Sequence, residues 1–245
     1  MTLRRDAVEH AETAAALAAA CRRLHARGLL AGAEGNLSVR LSNGDLLVTP
    51  SGVDKGTVEA SAMLRLHADG TPRHEGTAVG TSGDGGTGDS PRRPSSELLM
   101  HLACYAARPD VRAVVHAHPP VATGFATAGV NLPANVLPEV PVVVGPSALV
   151  PYGRPGTPAL SAAMAPFLAD HEVFLLANHG VTALGTSLTD ALLRMESVEQ
   201  AARIVFVAQQ MGGALSLSDA ETAALHEIRT HAAAASRNGV IESGS

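Results

Sequence analysis

His116 and His118 stand two residues apart at the end of the apolar stretch 111–116, and along an extended strand residues i and i+2 point to the same face. Two imidazoles placed that way can reach one divalent cation. Taken alone, the pair reads equally well as two satisfied core or surface histidines. A third imidazole, His179, follows the apolar run Val173-Phe-Leu-Leu176 and is flanked by Asn178 and Gly180, residue types that suit a backbone turn beside a site. Three imidazoles at strand ends make an open cation site. Glu97 opens a helical stretch, where its carboxylate can ligate a cation at rest and carry a proton once substrate displaces it. The other reading of a Glu there is an acid complementing the helix dipole. A cation that polarises a carbonyl, next to a carboxylate that moves a proton, is equipment for making or breaking a carbon–carbon bond.

A second group consists of small residues at turns: Gly35-Asn36-Leu-Ser38, Thr49-Pro-Ser51-Gly52 and Ser95-Ser96. Backbone N–H groups, hydroxyls and a helix start can hold a phosphate without a dedicated arginine, although each of these turns alone is ordinary turn chemistry. Lys55 is the one lysine of the chain. Its polar, glycine-bounded turn Val53-Asp-Lys-Gly56 predicts surface or phosphate-loop duty rather than a Schiff-base role.

The elements that must position these groups follow from periodicity. Residues 6–27 predict a helix, with Leu17, Cys21 and Leu24 at helical spacing and Gly28 as its stop. Strands at 37–41 and 46–49 flank Asn43-Gly44, a strong hairpin signal, and a third strand is predicted at 63–66. Residues 76–93, crowded with Gly, Thr, Ser and Asp, read as a mobile surface loop. A helix follows to about Arg108, with Ser95 and Ser96 available as caps, and strands are expected at 111–116, 140–144 and 173–176. Helices are predicted at 157–168, 189–211 and 218–235. Hairpins mixed with long helices indicate an α/β layered domain, a sheet covered by helices. The 245 residues suit a single domain, 1–245, carrying the 76–93 insertion.

Composition excludes several roles. A net charge of −5 with no long basic run argues against nucleic-acid binding. The N-terminal segment has no apolar signal core, and no stretch reaches the roughly 20 apolar residues that span a bilayer, so no membrane partner and a cytoplasmic location are expected. With no Trp, two Tyr and four Phe, the core must be Ala, Val and Leu. Cys21 and Cys104 lie in no motif and read as small buried apolar residues.

Taken together, Gly35-Asn36-x-Ser38-x-Arg40, Thr49-Pro-Ser-Gly52, Pro94-Ser-Ser-Glu97, His116-x-His118-Pro119 and Asn178-His179-Gly180 resemble the class II aldolase/adducin family over about residues 10–210. The resemblance implies a central, mostly antiparallel sheet flanked by helices, assembled as a homotetramer with sites at subunit contacts. It implies Zn2+ on His116, His118 and His179, with Glu97 as fourth ligand and catalytic acid/base. Three imidazoles and a carboxylate also accept Mn2+ or Co2+. Substrate phosphate would rest on Gly35, Asn36, Ser51, Gly52, Ser95 and Ser96. The expected reaction is reversible cleavage of a small phosphorylated ketose, a ketose 1-phosphate of the deoxy-pentulose or fuculose/rhamnulose type, to dihydroxyacetone phosphate and an aldehyde.

Two tyrosines that assist protonation in the aldolase relatives have no counterpart in place, since the chain has only Tyr105 and Tyr152. Glu139 instead falls close to where methylthioribulose-phosphate dehydratases of the family carry a catalytic glutamate, and it reads either as a second acid/base or as a solvated loop residue. Glu34 stands where the fuculose enzymes have a small residue, and the apolar character around Leu137 suggests a less hydroxylated aldehyde end of the substrate. The alternatives are a sugar-phosphate dehydratase or decarboxylase, expected to yield no dihydroxyacetone phosphate, and an adducin-like scaffold without catalysis.

Overall fold

The computed structural model describes residues 2–73 and 92–242, with side chains over 4–73 and 92–231. The expected insertion at 76–93 therefore lies outside the described residues, apart from positions 92 and 93. Among the described residues, seven strands form one sheet: β1 (Asn36–Arg40), β2 (Leu46–Val48), β3 (Leu64–Leu66), β4 (Ala113–Ala117), β5 (Ser147–Val150), β6 (Val173–Leu176) and β7 (Gly180–Gly185). Their order is β3-β2-β1-β4-β7-β6-β5. Only β5 and β6 pair in parallel; every other neighbour is antiparallel. The helices are α1 (Thr2–Ala26), α2 (Leu98–Ala107), α3 (Pro120–Thr127), α4 (Pro158–Met164), α5 (Leu188–Gln210) and α6 (Asp219–Glu242). The α/β class and the mostly antiparallel sheet agree with expectation.

The sheet separates two apolar layers because successive side chains of a strand face opposite ways. Ala113, Val115 and Ala117 of β4 pack with Leu17, Cys21 and Leu24 of α1, Phe125 of α3 and Met195 of α5. Val114 packs on the other side, with Met100 and Cys104 of α2, Met164 of α4 and Phe174 of β6. His116 continues the Val114 face, so it emerges at the strand end on the side covered by α2. Both cysteines are free and buried, as expected. Among the described residues no helix is long and apolar enough to cross a membrane.

The expected strand at 140–144 is instead one π-helical turn, Val140–Val144, closed by Gly145 N–H donating to Val140 O at 2.9 Å. Pro141 has no N–H to give to a ladder, which disqualifies it from an interior strand, and pairing starts only at Ser147. Helix α3 was not foreseen, because Pro119-Pro120 reads as a break. Proline is also well suited to a helix's first turn, and the Glu199 carboxylate, arriving from α5, accepts the free N–H groups of Val121 and Ala122. Strand β7 was likewise missed; it follows β6 across the Asn178-His179 turn as the second arm of a hairpin.

Candidate active site

The three histidines meet at the end of β4 and in the β6–β7 turn. Their ligating nitrogens lie within 4.8 Å of one another. His116 is fully buried, and its Nδ1 sits 3.0 Å from Val181 O. A carbonyl only accepts, so Nδ1 carries the hydrogen and Nε2 presents a lone pair. His118 donates from Nδ1 to the Glu34 carboxylate, which leaves its Nε2 lone pair turned the same way. The two Nε2 atoms are 3.2 Å apart, close to the ~3.3 Å spanned by two 2.0–2.1 Å bonds at a tetrahedral centre. Facing lone pairs repel unless a cation stands between them.

Glu97 completes the cluster. Its Oε1 is 2.9 Å from His179 Nε2 and its Oε2 is 3.5 Å from His116 Nε2. Oε1 is buried and makes no well-directed hydrogen bond, and His179 Nδ1 is likewise buried without a partner. An orphaned carboxylate oxygen beside converging imidazole nitrogens fits a divalent cation. Burial works to raise the Glu97 pKa, but the close imidazoles of His179 and His116 and the Asn36 amide outweigh it and hold the carboxyl well below the usual carboxylate range. His116 is pushed down to about 3, chiefly by burial, and so stays neutral as a ligand must.

Two backbone features make room for the cluster. Asn178 adopts φ +56°, a left-handed conformation that turns the chain sharply before His179. A Cβ on Gly180 would stand 2.5 Å from His118 Cδ2 and 2.7 Å from Ala117 O, so only glycine lets the β7 backbone pass the ring. Gly180→Ala is expected to displace His118 and to weaken metal binding about tenfold or more, measured by competition with a chromophoric chelator. Wild-type affinity in that variant would remove His118 from the ligand set.

Beside the cluster lies a polar cavity of about 250 Å3, below the roughly 300–1,000 Å3 of drug-sized sites. Gly35, Asn36, Ser51, Ser95, Ser96, Glu97, His118 and His179 all line it, while Gly52 does not. Glu139 does not line it either: it is exposed and immediately precedes the π-helical turn. Tyr105 is buried on α2 and Tyr152 is 59% exposed, and neither lines the cavity. Lys55 also lines the cavity. Of its two expected placements the surface one is corrected: it is 1% exposed, since its turn tucks beneath residues 32–34 and its ammonium donates to Ala33 O and Val53 O. Burial lowers its pKa.

Glu34 was missed as a functional residue. It orients His118 from 84 positions away in the chain, and only its place next to Gly35 hinted at the cavity. Gly35 itself has φ +66°, and a Cβ there would lie 2.7 Å from His116 O, so its glycine is demanded by the sheet as well as by any ligand.

The family described as class II aldolase and adducin N-terminal domain matches residues 15–206, a span that includes every cluster residue. The chain belongs to this family. It is 37% identical over 185 residues to 3-oxo-tetronate 4-phosphate decarboxylase of Escherichia coli strain K12, covering 74% of this chain and 80% of that protein. It is 34% identical over 232 residues to 3,4-dihydroxyphthalate decarboxylase of Arthrobacter keyseri, covering 89% and 88%. Among solved structures it superposes on an L-fuculose 1-phosphate aldolase with a TM-score of 0.76 at 29% identity, over 88% of this chain and 95% of that one. The family thus accommodates both decarboxylases and aldolases on this fold, with sugar phosphates and an aromatic acid among the compounds that its members are named for.

Proposed function

We propose that this protein is a metal-dependent lyase that decarboxylates a small phosphorylated 3-oxo acid of the 3-oxo-tetronate 4-phosphate type. The observation that carries the reading is the number of acid/base groups at the cluster. Retro-aldol cleavage requires one group to take a hydroxyl proton and a second to protonate carbon, whereas decarboxylation requires only the second. Of the two carboxylates that line the cavity, Glu97 presents a buried oxygen with no directed hydrogen bond, whereas Glu34 is the more exposed and is held to His118 through Oε2. The ketose 1-phosphate aldolase expected from the motifs is the second reading, favoured by the likeness to fuculose-phosphate aldolase.

Both readings share a fragment. In a 3-oxo-tetronate 4-phosphate the C1–C2 bond breaks, its electron pair moves into the C3 carbonyl, and CO2 leaves. One proton from solvent is then delivered to C2 by Glu97, and the product is dihydroxyacetone phosphate. The incoming carboxylate and phosphate charges raise the affinity of Glu97 for that proton. His116, His118, His179 and resting Glu97 would hold the metal, which supplies Lewis acidity for the developing oxyanion. Ser51, Ser95, Ser96 and the Gly35 backbone line the phosphate side. We assign Zn2+ from the three-imidazole, one-carboxylate donor set. We also propose a cytoplasmic homotetramer, supported by the exposed apolar side chains Phe206, Val207 and Met211 at the end of α5.

Because dihydroxyacetone phosphate arises either way, its release does not separate the readings, contrary to the expectation above for a decarboxylase. Metal-loaded protein offered 3-oxo-tetronate 4-phosphate and a panel of ketose 1-phosphates is expected to release CO2 equimolar with dihydroxyacetone phosphate from the first and no aldehyde from the others. Aldehyde without CO2 would make it an aldolase, and loss of water without cleavage a dehydratase.

A further inference from the structure

A buried polar chain runs away from Glu97 into the protein, alternating between α2 and β1. Glu97 Oε2 is 2.7 Å from Asn36 Nδ2, Asn36 Oδ1 is 2.5 Å from His101 Nε2, His101 Nδ1 is 2.7 Å from Ser38 Oγ, and Ser38 Oγ is 2.8 Å from Tyr105 OH. Asn36, Ser38, His101 and Tyr105 are all buried. The interleaving follows from two spacings that nearly agree. Four residues of helix rise about 6 Å and two residues of strand about 6.6 Å, so Glu97, His101 and Tyr105 step along α2 in time with Asn36 and Ser38 along β1.

Every hydrogen in this chain has a forced direction. An ionised carboxylate only accepts, so the Asn36 amide donates to Glu97 and turns its carbonyl oxygen to His101. That oxygen only accepts, so His101 carries its hydrogen on Nε2. Burial pushes the pKa of His101 down to about 4 and keeps the ring neutral, so Nδ1 accepts from the Ser38 hydroxyl. Ser38 in turn accepts from Tyr105. Four donors thus point one way, towards Glu97 Oε2, and the second Asn36 contact, to Ser95 Oγ at 3.2 Å, uses the same amide nitrogen. The Asn36 side chain is therefore committed to the carboxylate rather than free for phosphate.

We propose that Tyr105, Ser38 and His101 form a positioning relay that locks Asn36 and, through it, pins Glu97 by Oε2, leaving Oε1 as the oxygen that handles the substrate proton. The proposal rests on Glu97 being the acid/base of the function proposed above. It assigns work to three residues that touch neither the cluster nor the cavity.

The test uses the metal-loaded protein and solvent-deuterium incorporation into dihydroxyacetone phosphate, a proton transfer that decarboxylase and aldolase readings share. Loss of exchange should diminish with distance from Glu97. His101→Leu is expected to cut the exchange kcat about 10–100-fold, Ser38→Ala by less and Tyr105→Phe least, with KM little changed and metal content at wild-type level. His101→Gln, whose amide can both donate and accept, should recover part of the loss. Histidine 15N spectra of the wild type should show His101 as the neutral Nε2–H tautomer, a readout that survives if a variant fails to fold. An Nδ1–H tautomer, or wild-type exchange in folded, metal-loaded Tyr105→Phe and Ser38→Ala, overturns the relay and leaves Glu97 standing. Wild-type protein that exchanges no deuterium overturns the role of Glu97 and the relay with it.

Discussion

Chelator-treated protein is expected to lose at least about four orders of magnitude in turnover and to regain it on addition of a divalent metal. Polarisation of the substrate carbonyl contributes several kcal/mol to the barrier, and each 1.36 kcal/mol is a factor of ten. Among the described cavity residues Lys55 is the one other cationic side chain, and Ala33 O and Val53 O take two of its three ammonium hydrogens. His116 is neutral and Asn36 donates to Glu97. His116→Ala should reproduce the loss and resist rescue, because the two neighbouring imidazoles, His118 and His179, are already counted as ligands and neither can take its place. Turnover by protein shown to be metal-free would remove the metal from the reaction, whereas no turnover by metal-loaded protein would leave the adducin-like scaffold reading.

Glu97→Gln is the second large effect. The amide keeps an oxygen for the Asn36 donor, so the relay and the local fold survive, but it cannot carry the substrate proton. General acid–base catalysis contributes 10^2–10^4-fold, and kcat is expected to fall by about that factor, while metal affinity, still supported by three imidazoles, falls far less. The two quantities are read separately, by steady-state kinetics on metal-loaded protein and by chelator competition. Equal losses in both would mean that Glu97 serves only as a ligand and that the proton comes from elsewhere.

Much of this site was legible before any coordinates. The i, i+2 pair His116 and His118 after an apolar run, His179 after another, and Glu97 at a helix start are local patterns, and the backbone periods that generate them are properties of the chain itself. The hairpin at Asn43-Gly44 and the long helices were legible for the same reason. Pro141 misled because a run of valines has strand propensity while the single missing N–H vetoes the ladder. Pro119-Pro120 misled the other way, since whether proline breaks a strand or begins a helix depends on what receives the next N–H groups, and Glu199 comes from 77 residues further on.

The sequence by itself determined which atoms can bind a cation and move a proton, because residue chemistry and strand and helix periods are local. Only the tertiary structure decided which way those atoms face. Glu34 fixes the tautomer of His118, Lys55 is buried beneath residues 32–34, Glu139 is exposed and does not line the cavity, and Asn36 donates to Glu97. The outcomes at Glu34, Lys55 and Asn36 each depend on a hydrogen-bond partner supplied by another segment. The direction of a hydrogen bond is settled only when donor and acceptor are brought within about 3 Å of each other out of water.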